Sequence, residues 1–172
     1  FIIAIIPTLR DSIFTDYIRG IKEQLRKKGY QILIGVTDYD LGREEEIVKK
    51  FLSYKPEGII IVGTQHTSYT NSILLASKLP IVESWNITDK PLDVVVGFSN
   101  FSAGYQITDY LLTLKYKKIA FATPNRNHMK VENRSKRRLS GYLSRIKEAQ
   151  IKPIIFYYSE PIDHKKCGSE IL

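Results

Sequence analysis

The chain has 172 residues, with 26 Lys and Arg against 18 Asp and Glu for a formal charge of +8, which fits one full domain or one and a fraction. Hydrophobic residues make up 43% and charged residues 26%, a balance that excludes a disordered tail, a collagen-like repeat and a disulfide-rich scaffold. No apolar run approaches the roughly 18 to 20 residues that cross a bilayer. The single cysteine, Cys167, rules out an intrachain disulfide and a cysteine-rich metal site and suits a reducing compartment.

Residues 1–6 are apolar but carry no start Met, basic n-region or small-residue cleavage site, which argues for a first strand and against a signal peptide. Phe14, Ile18, Ile21 and Leu25 then repeat at helical spacing, and Gly29 supplies a stop after Lys27 and Lys28. Residues 30–36 form the second strand candidate. A second helical stripe, Ile47, Val48, Phe51 and Leu52, is led by Glu44, Glu45 and Glu46, where the positive end of the helix dipole favours carboxylates.

Residues 58–62 give a third strand, and Ile73 and Leu74 anchor a short helix for which Thr67 or Ser68 is the cap. Residues 80–82 and 94–98 follow as strands. Ala103, Ile107, Leu111 and Leu114 define a fourth helix with Asn100 as its N-cap. Residues 118–122, a fifth helix on Leu139, Tyr142, Leu143 and Ile146, and residues 154–158 complete the pattern. Such alternation predicts an α/β fold built from βαβ units around a mostly parallel sheet. The boundary falls near Lys115 to Lys117, giving one lobe over residues 1–116 and part of a second over 117–172. The chain starts inside a strand, and residues 167–172 read as the first turns of a helix, so a fragment of a longer protein is expected.

In an open parallel sheet, ligands sit beyond the carboxyl ends of the strands. That rule selects residues 7–14, 62–67, 83–86, 98–100 and 123–138. Arg138 has the guanidinium geometry that holds a carboxylate or paired hydroxyls, although Lys130, Arg134, Lys136, Arg137 and Arg138 also read as a solvated basic face. Trp85, the only tryptophan, suits stacking on the apolar face of a sugar ring, and equally suits a core. Glu83 in a buried strand needs a partner. His66 is either a loop histidine or a ligand contact, and Phe14 either core or pocket wall.

No G-x-S-x-G elbow, Walker loop, H-E-x-x-H pair or G-x-G-x-x-G fingerprint occurs, so a binding protein is expected in place of an enzyme, with no cofactor and no metal. An acid and base set of Asp93, Glu83 and His66 is the one catalytic combination the sequence offers. Paired lysines are scattered at element ends, and no helix-turn-helix or aromatic RNA platform is present, so these residues are not expected to bind nucleic acid themselves.

The ordered segments Ile13-Phe14-Thr15-Asp16, Gly63-Thr64-Gln65-His66-Thr67, Pro80-Ile81-Val82-Glu83-Ser84-Trp85-Asn86 and Asp93-Val94-Val95-Val96-Gly97-Phe98-Ser99-Asn100 resemble the effector-binding domain of LacI/GalR-type transcription repressors. The likeness is greatest to the gluconate-utilisation repressors, runs from Phe1 to about Gly168, and includes the R-x-x-G pattern at Arg138 and Gly141. The resemblance implies a type I periplasmic-binding-protein-like fold: Rossmann-like parallel sheets with flanking helices in two lobes, the second incomplete here. It implies a cytoplasmic homodimer, away from the membrane, that senses a sugar acid and reads operator DNA through an N-terminal helix-turn-helix missing from these residues. By the same resemblance Arg138 fixes the effector's carboxylate or hydroxyls, Ile13 and Phe14 wall the first lobe, and Trp85 faces the cleft. Gly63, His66, Glu83 and Asn100 are carried over on matching strand ends. A sugar-binding protein feeding a transporter, which shares the architecture, is the alternative.

Overall fold

The computed structural model describes residues 1–10, 12–124 and 133–158; the expected helix start at 167–172, Cys167 and Lys130 lie outside the described residues. The order is β1 (Ile2–Ile6), α1 (Ser12–Lys27), β2 (Ile32–Val36), α2 (Leu41–Leu52), β3 (Gly58–Val62), α3 (Ser68–Ser77), β4 (Ile81–Ser84), β5 (Val94–Val96), α4 (Asn100–Thr113), β6 (Ala120–Pro124), α5 (Asn133–Glu148) and β7 (Ile154–Tyr158). The fold is periplasmic-binding-protein-like, with parallel sheets and flanking helices, as the segment pattern implied.

The chain divides into two compact units, Phe1–Phe98 and Ser99–Leu172. This division comes one helix earlier than the boundary placed at residue 116, because α4 packs on α5. In the first unit five strands run parallel in the order β2-β1-β3-β4-β5. Alternation of side chains along β1 feeds two cores. Ile3 and Ile5 join Ile59, Ile61, Val48 of α2 and Leu74 of α3 on one face; Ala4 and Ile6 join Val62 and Phe14 and Ile18 of α1 on the other. A strand covered on both faces has no polar side to show, hence the unbroken Ile and Val runs. β5 closes one edge, with Val94 and Val96 exposed.

Local chemistry sets the ends. Asp40 caps α2 by accepting from the Arg43 amide at 2.7 Å, and Thr67 caps α3 by accepting from the Thr70 amide at 3.0 Å. β4 runs on through Glu83 and Ser84, beyond the expected end at Val82, because those residues pair with Ile61 and Val62 of β3 and Val95 and Val96 of β5. β5 stops at Val96, before the expected Phe98. A side chain at Gly97 would meet the Asn86 carbonyl at 2.1 Å, so the chain passes too close there for any residue with a Cβ.

In the second unit β6 and β7 pair in parallel, Ala120 with Ile154 through Pro124 with Tyr158, which shifts β6 two residues beyond the expected 118–122. Tyr142 and Ile146 of α5 pack with Ile119. The Tyr142 hydroxyl reaches the Ile119 carbonyl at 2.8 Å and accepts from the Ile154 amide at 2.9 Å, bridging the two strands. Two expectations for α4 fail. Its cap is Ser99, whose Oγ accepts from the Ser102 amide at 3.1 Å, and not Asn100. Its buried face is Asn100, Gly104 and Thr108, while Ile107 and Leu114 of the expected stripe are exposed. The reason is backbone proximity: a Cβ at Gly104 would lie 2.0 Å from the Arg138 carbonyl and one at Gly141 2.1 Å from the Phe101 carbonyl. Those glycines set the closest approach, while Leu111 of the expected stripe packs against the Tyr142–Ile146 core.

Candidate functional site

In the first sheet β1 sits between β2 and β3, so the chain leaves it toward opposite sides at successive crossovers. The carboxyl ends of β1 and β3 form the topological switch point, the place where open α/β sheets hold ligands. Residues 7–10 and 63–67 border it. Thr8 accepts from the Arg10 amide at 3.0 Å and shapes the first of these turns. Gly63 takes φ +109 and donates its amide to the Ser84 carbonyl at 2.9 Å, a left-handed step that only glycine makes without strain.

Trp85 follows directly on β4 at φ +72, unusual for a bulky residue and a cost met by surrounding structure. Its amide donates to the Val96 carbonyl at 3.1 Å. Its half-buried ring lies 5.3 Å from Phe14, tilted by 49°, and 5.6 Å from Tyr17 in an edge-on contact. Both spacings are those of favourable aromatic pairs. Burial raises the Tyr17 hydroxyl's pKa, and its hydrogen bond with the Ser84 side chain opposes that rise. Ile13, one residue from Phe14, is exposed.

A buried charge cluster surrounds His66. Nδ1 of His66 is 2.7 Å from Oε1 of Glu44, and Nε2 is 3.6 Å from Oε1 of Glu83, an ion-pair contact too long for a hydrogen bond. The three side chains are 1%, 7% and 2% exposed. Burial by itself lowers the imidazole pKa, yet the hydrogen bond to Glu44 and the attraction of both carboxylates outweigh it and raise His66 to about 9. The other oxygen of Glu83 accepts from the Leu92 amide at 2.6 Å.

Of the residues expected at the site, Phe14 and Trp85 meet in the aromatic contact, His66 and Glu83 meet in the buried charge cluster, and Gly63 follows β3 in the same unit. Asn100 and Arg138 belong to the second. Asn100 is buried at the first turn of α4, and Arg138 is half-buried on α5 with no ion-pair partner among the described residues. Asp93 does not join His66 and Glu83: its carboxylate accepts from the Ile81 amide at 3.0 Å, at the opposite end of β4. Sequence reasoning missed Tyr17, Ser84 and the burial of Glu44. Tyr17 was detectable in principle, three residues from Phe14 and so on the same helix face; the fate of Glu44 was not, because Glu44 to Glu46 read alike as first-turn carboxylates.

Comparison with known proteins bears on the fold and the family. Residues 1–155 match the family described as periplasmic binding proteins and the sugar-binding domain of the LacI family. The transcriptional regulator IdnR of Escherichia coli K12 is 30% identical over 151 residues, covering 87% of this chain and 44% of that protein. The regulator GntR of the same strain is 29% identical over 117 residues, covering 68% of this chain and 35% of GntR. This chain thus spans less than half the length of either. Among solved structures, a LacI family regulator from Silicibacter pomeroyi superimposes with a TM-score of 0.86 at 28% identity, covering 99% of this chain and 64% of that one. GntR from Chromobacterium violaceum gives 0.83 at 28% identity, covering 99% and 61%. With the parallel sheets, the switch point and this span of similarity together, the chain belongs to the family of periplasmic binding proteins and LacI-type sugar-binding domains.

Proposed function

We propose that the chain is the effector-sensing part of a cytoplasmic LacI-type transcription regulator that responds to gluconate or a related sugar acid. The observation that carries this reading is the aromatic wall of Phe14, Tyr17 and Trp85 at the sheet's switch point, in a chain whose relatives IdnR and GntR are named as transcriptional regulators. Further relatives are named as repressors of sucrose, arabinose and ribose systems, in keeping with a carbohydrate effector. On the first unit the indole offers an apolar face for a sugar's C–H surface. On the second, Arg138 is the group suited to a carboxylate, by two parallel charge-assisted hydrogen bonds.

Signalling needs no bond-making. A ligand that binds one arrangement of the regulator more tightly than another shifts the balance between them, and one that binds both equally shifts nothing. Linkage then requires operator DNA to change effector affinity by the same factor. Paired operator half-sites call for a homodimer, with the DNA-reading heads in the complete protein.

Titrating gluconate, other sugar acids and neutral sugars against the full-length protein tests the proposal through its melting temperature. Ligand at about 100 times its dissociation constant stabilises by about 2.7 kcal/mol. Arg138→Ala weakens sugar-acid binding by about 1.5 to 3 kcal/mol and leaves neutral sugars unaffected. No stabilisation by any sugar acid overturns the proposal. Operator binding separates it from a transporter-linked binding protein of the same fold.

A further inference from the structure

Trp85 stands where two sets of contacts meet. The sheet fixes its backbone: the Ser84 carbonyl before it accepts from the Gly63 amide at 2.9 Å, its own amide donates to the Val96 carbonyl at 3.1 Å, and Asn86 after it lies too close to Gly97 for any Cβ there. Those contacts hold φ at +72, a conformation that bulky residues rarely adopt. They set where the indole begins and leave its plane to the side-chain torsions.

Two rings of α1, one turn apart, meet that plane. Phe14 approaches it at 49° and Tyr17 edge-on at 81°. One ring contact lets an indole swing about it, whereas two at different tilts define one orientation. Phe14 is buried among Ala4, Ile6, Ile18 and Val62 and so belongs to the core. Tyr17 is half-buried and carries a polar handle. Its hydroxyl shares a hydrogen bond with the Ser84 side chain, whose Oγ donates to the Ile61 carbonyl at 3.2 Å. α1 is thereby tied to β4 at the residue immediately before Trp85, and through it to β3.

We propose that Tyr17 is a positioning residue for effector binding: its ring edge and its bond to Ser84 fix the plane of the Trp85 indole against which the carbohydrate stacks. The stacking rests on the sugar-acid reading above; the orientation of the indole is independent of it. Tyr17 acts on the effector through Trp85.

The test uses the full-length protein with fluorine-labelled tryptophan and two readouts. The first needs no ligand: the Trp85 resonance, assigned by its loss in Trp85→Leu, is expected as one narrow line in the wild type. Tyr17→Leu broadens and shifts that line, because the indole then samples more than one plane, and Tyr17→Phe, which keeps the ring and removes the hydroxyl, broadens it less. A line as narrow in the variants as in the wild type overturns the proposal, and if Tyr17→Leu does not fold, Tyr17→Phe decides alone by the same criterion. The second readout is affinity for gluconate, or for whichever sugar acid stabilises most in the titration above. It is expected to fall about tenfold in Tyr17→Leu and about threefold in Tyr17→Phe. In a Trp85→Leu background, Tyr17→Phe is expected to weaken binding no further, since coupled residues do not add. A full additional loss there overturns the proposal, because a residue that touched the sugar itself, or only steadied the fold, would still act with Trp85 gone. Unchanged affinity beside a disturbed line overturns the link from indole to binding. If no sugar acid binds, the effector reading fails while the fluorine spectrum still judges the positioning.

Discussion

The two units hold themselves together by different means. The first surrounds β1 and β3 with neighbours on both edges and helices on both faces, so its core is a double layer of Ile and Val, braced at one end by a buried ionic cluster. The second has two paired strands among the described residues, and a pair of strands alone is marginal in water. Its order therefore rests on the close contact of α4 with α5 and on the Tyr142 hydroxyl between β6 and β7.

The largest effect is expected at the helix contact. Gly141→Ala places a methyl 2.1 Å from the Phe101 carbonyl and 2.7 Å from the Tyr105 amide, so the helices must part, at a cost of about 3 kcal/mol that exceeds the helix-propensity gain of about 1 kcal/mol. Urea unfolding followed by circular dichroism reads the helices of both units, and Trp85 emission reads the first unit alone. An early loss of helix with Trp85 unperturbed is expected, and a single unchanged transition would erase the contrast.

The next effect is confined to the first unit. His66 is raised from 6.5 to about 9 in the folded state, so its contribution to stability is fully present below about pH 6.5 and is lost as pH rises through about 9. The shift corresponds to about 3 kcal/mol. Unfolding curves on either side of that window, followed at Trp85, check the loss, while the helix signal of the second unit is expected to respond far less. The smallest effect is Tyr142→Phe, which keeps the ring packed against Phe121 and removes the bridge between strands at a cost of about 1 to 2 kcal/mol. That loss should appear by circular dichroism and leave the Trp85 transition in place.

Most strand positions were legible because a strand buried on both faces must be written in Ile and Val, as at residues 58–62. Caps were legible to within a residue, since Thr67 and Ser99 act through neighbours three positions away. The orientation of α4 was not. Periodicity assumes that apolar residues point inward, whereas here Gly104 and Gly141 admit a facing backbone and turn Ile107 outward. At the site, Trp85 and Phe14 stood out as aromatic residues at strand and helix ends. The coupling of His66 to Glu44 joins residues 22 positions apart, a relation no local spacing encodes.

The outward valines of β5 have a practical corollary. An edge strand with unpaired amides and an apolar face is a template for another chain's strand, and natural proteins blunt such edges with charge, bulges or brevity. β5 has brevity alone, three residues with Val94 and Val96 exposed. Among the described residues nothing pairs with the outer side of β5, and Val96→Lys is the substitution expected to lower any self-association along that edge, as read by light scattering at high concentration.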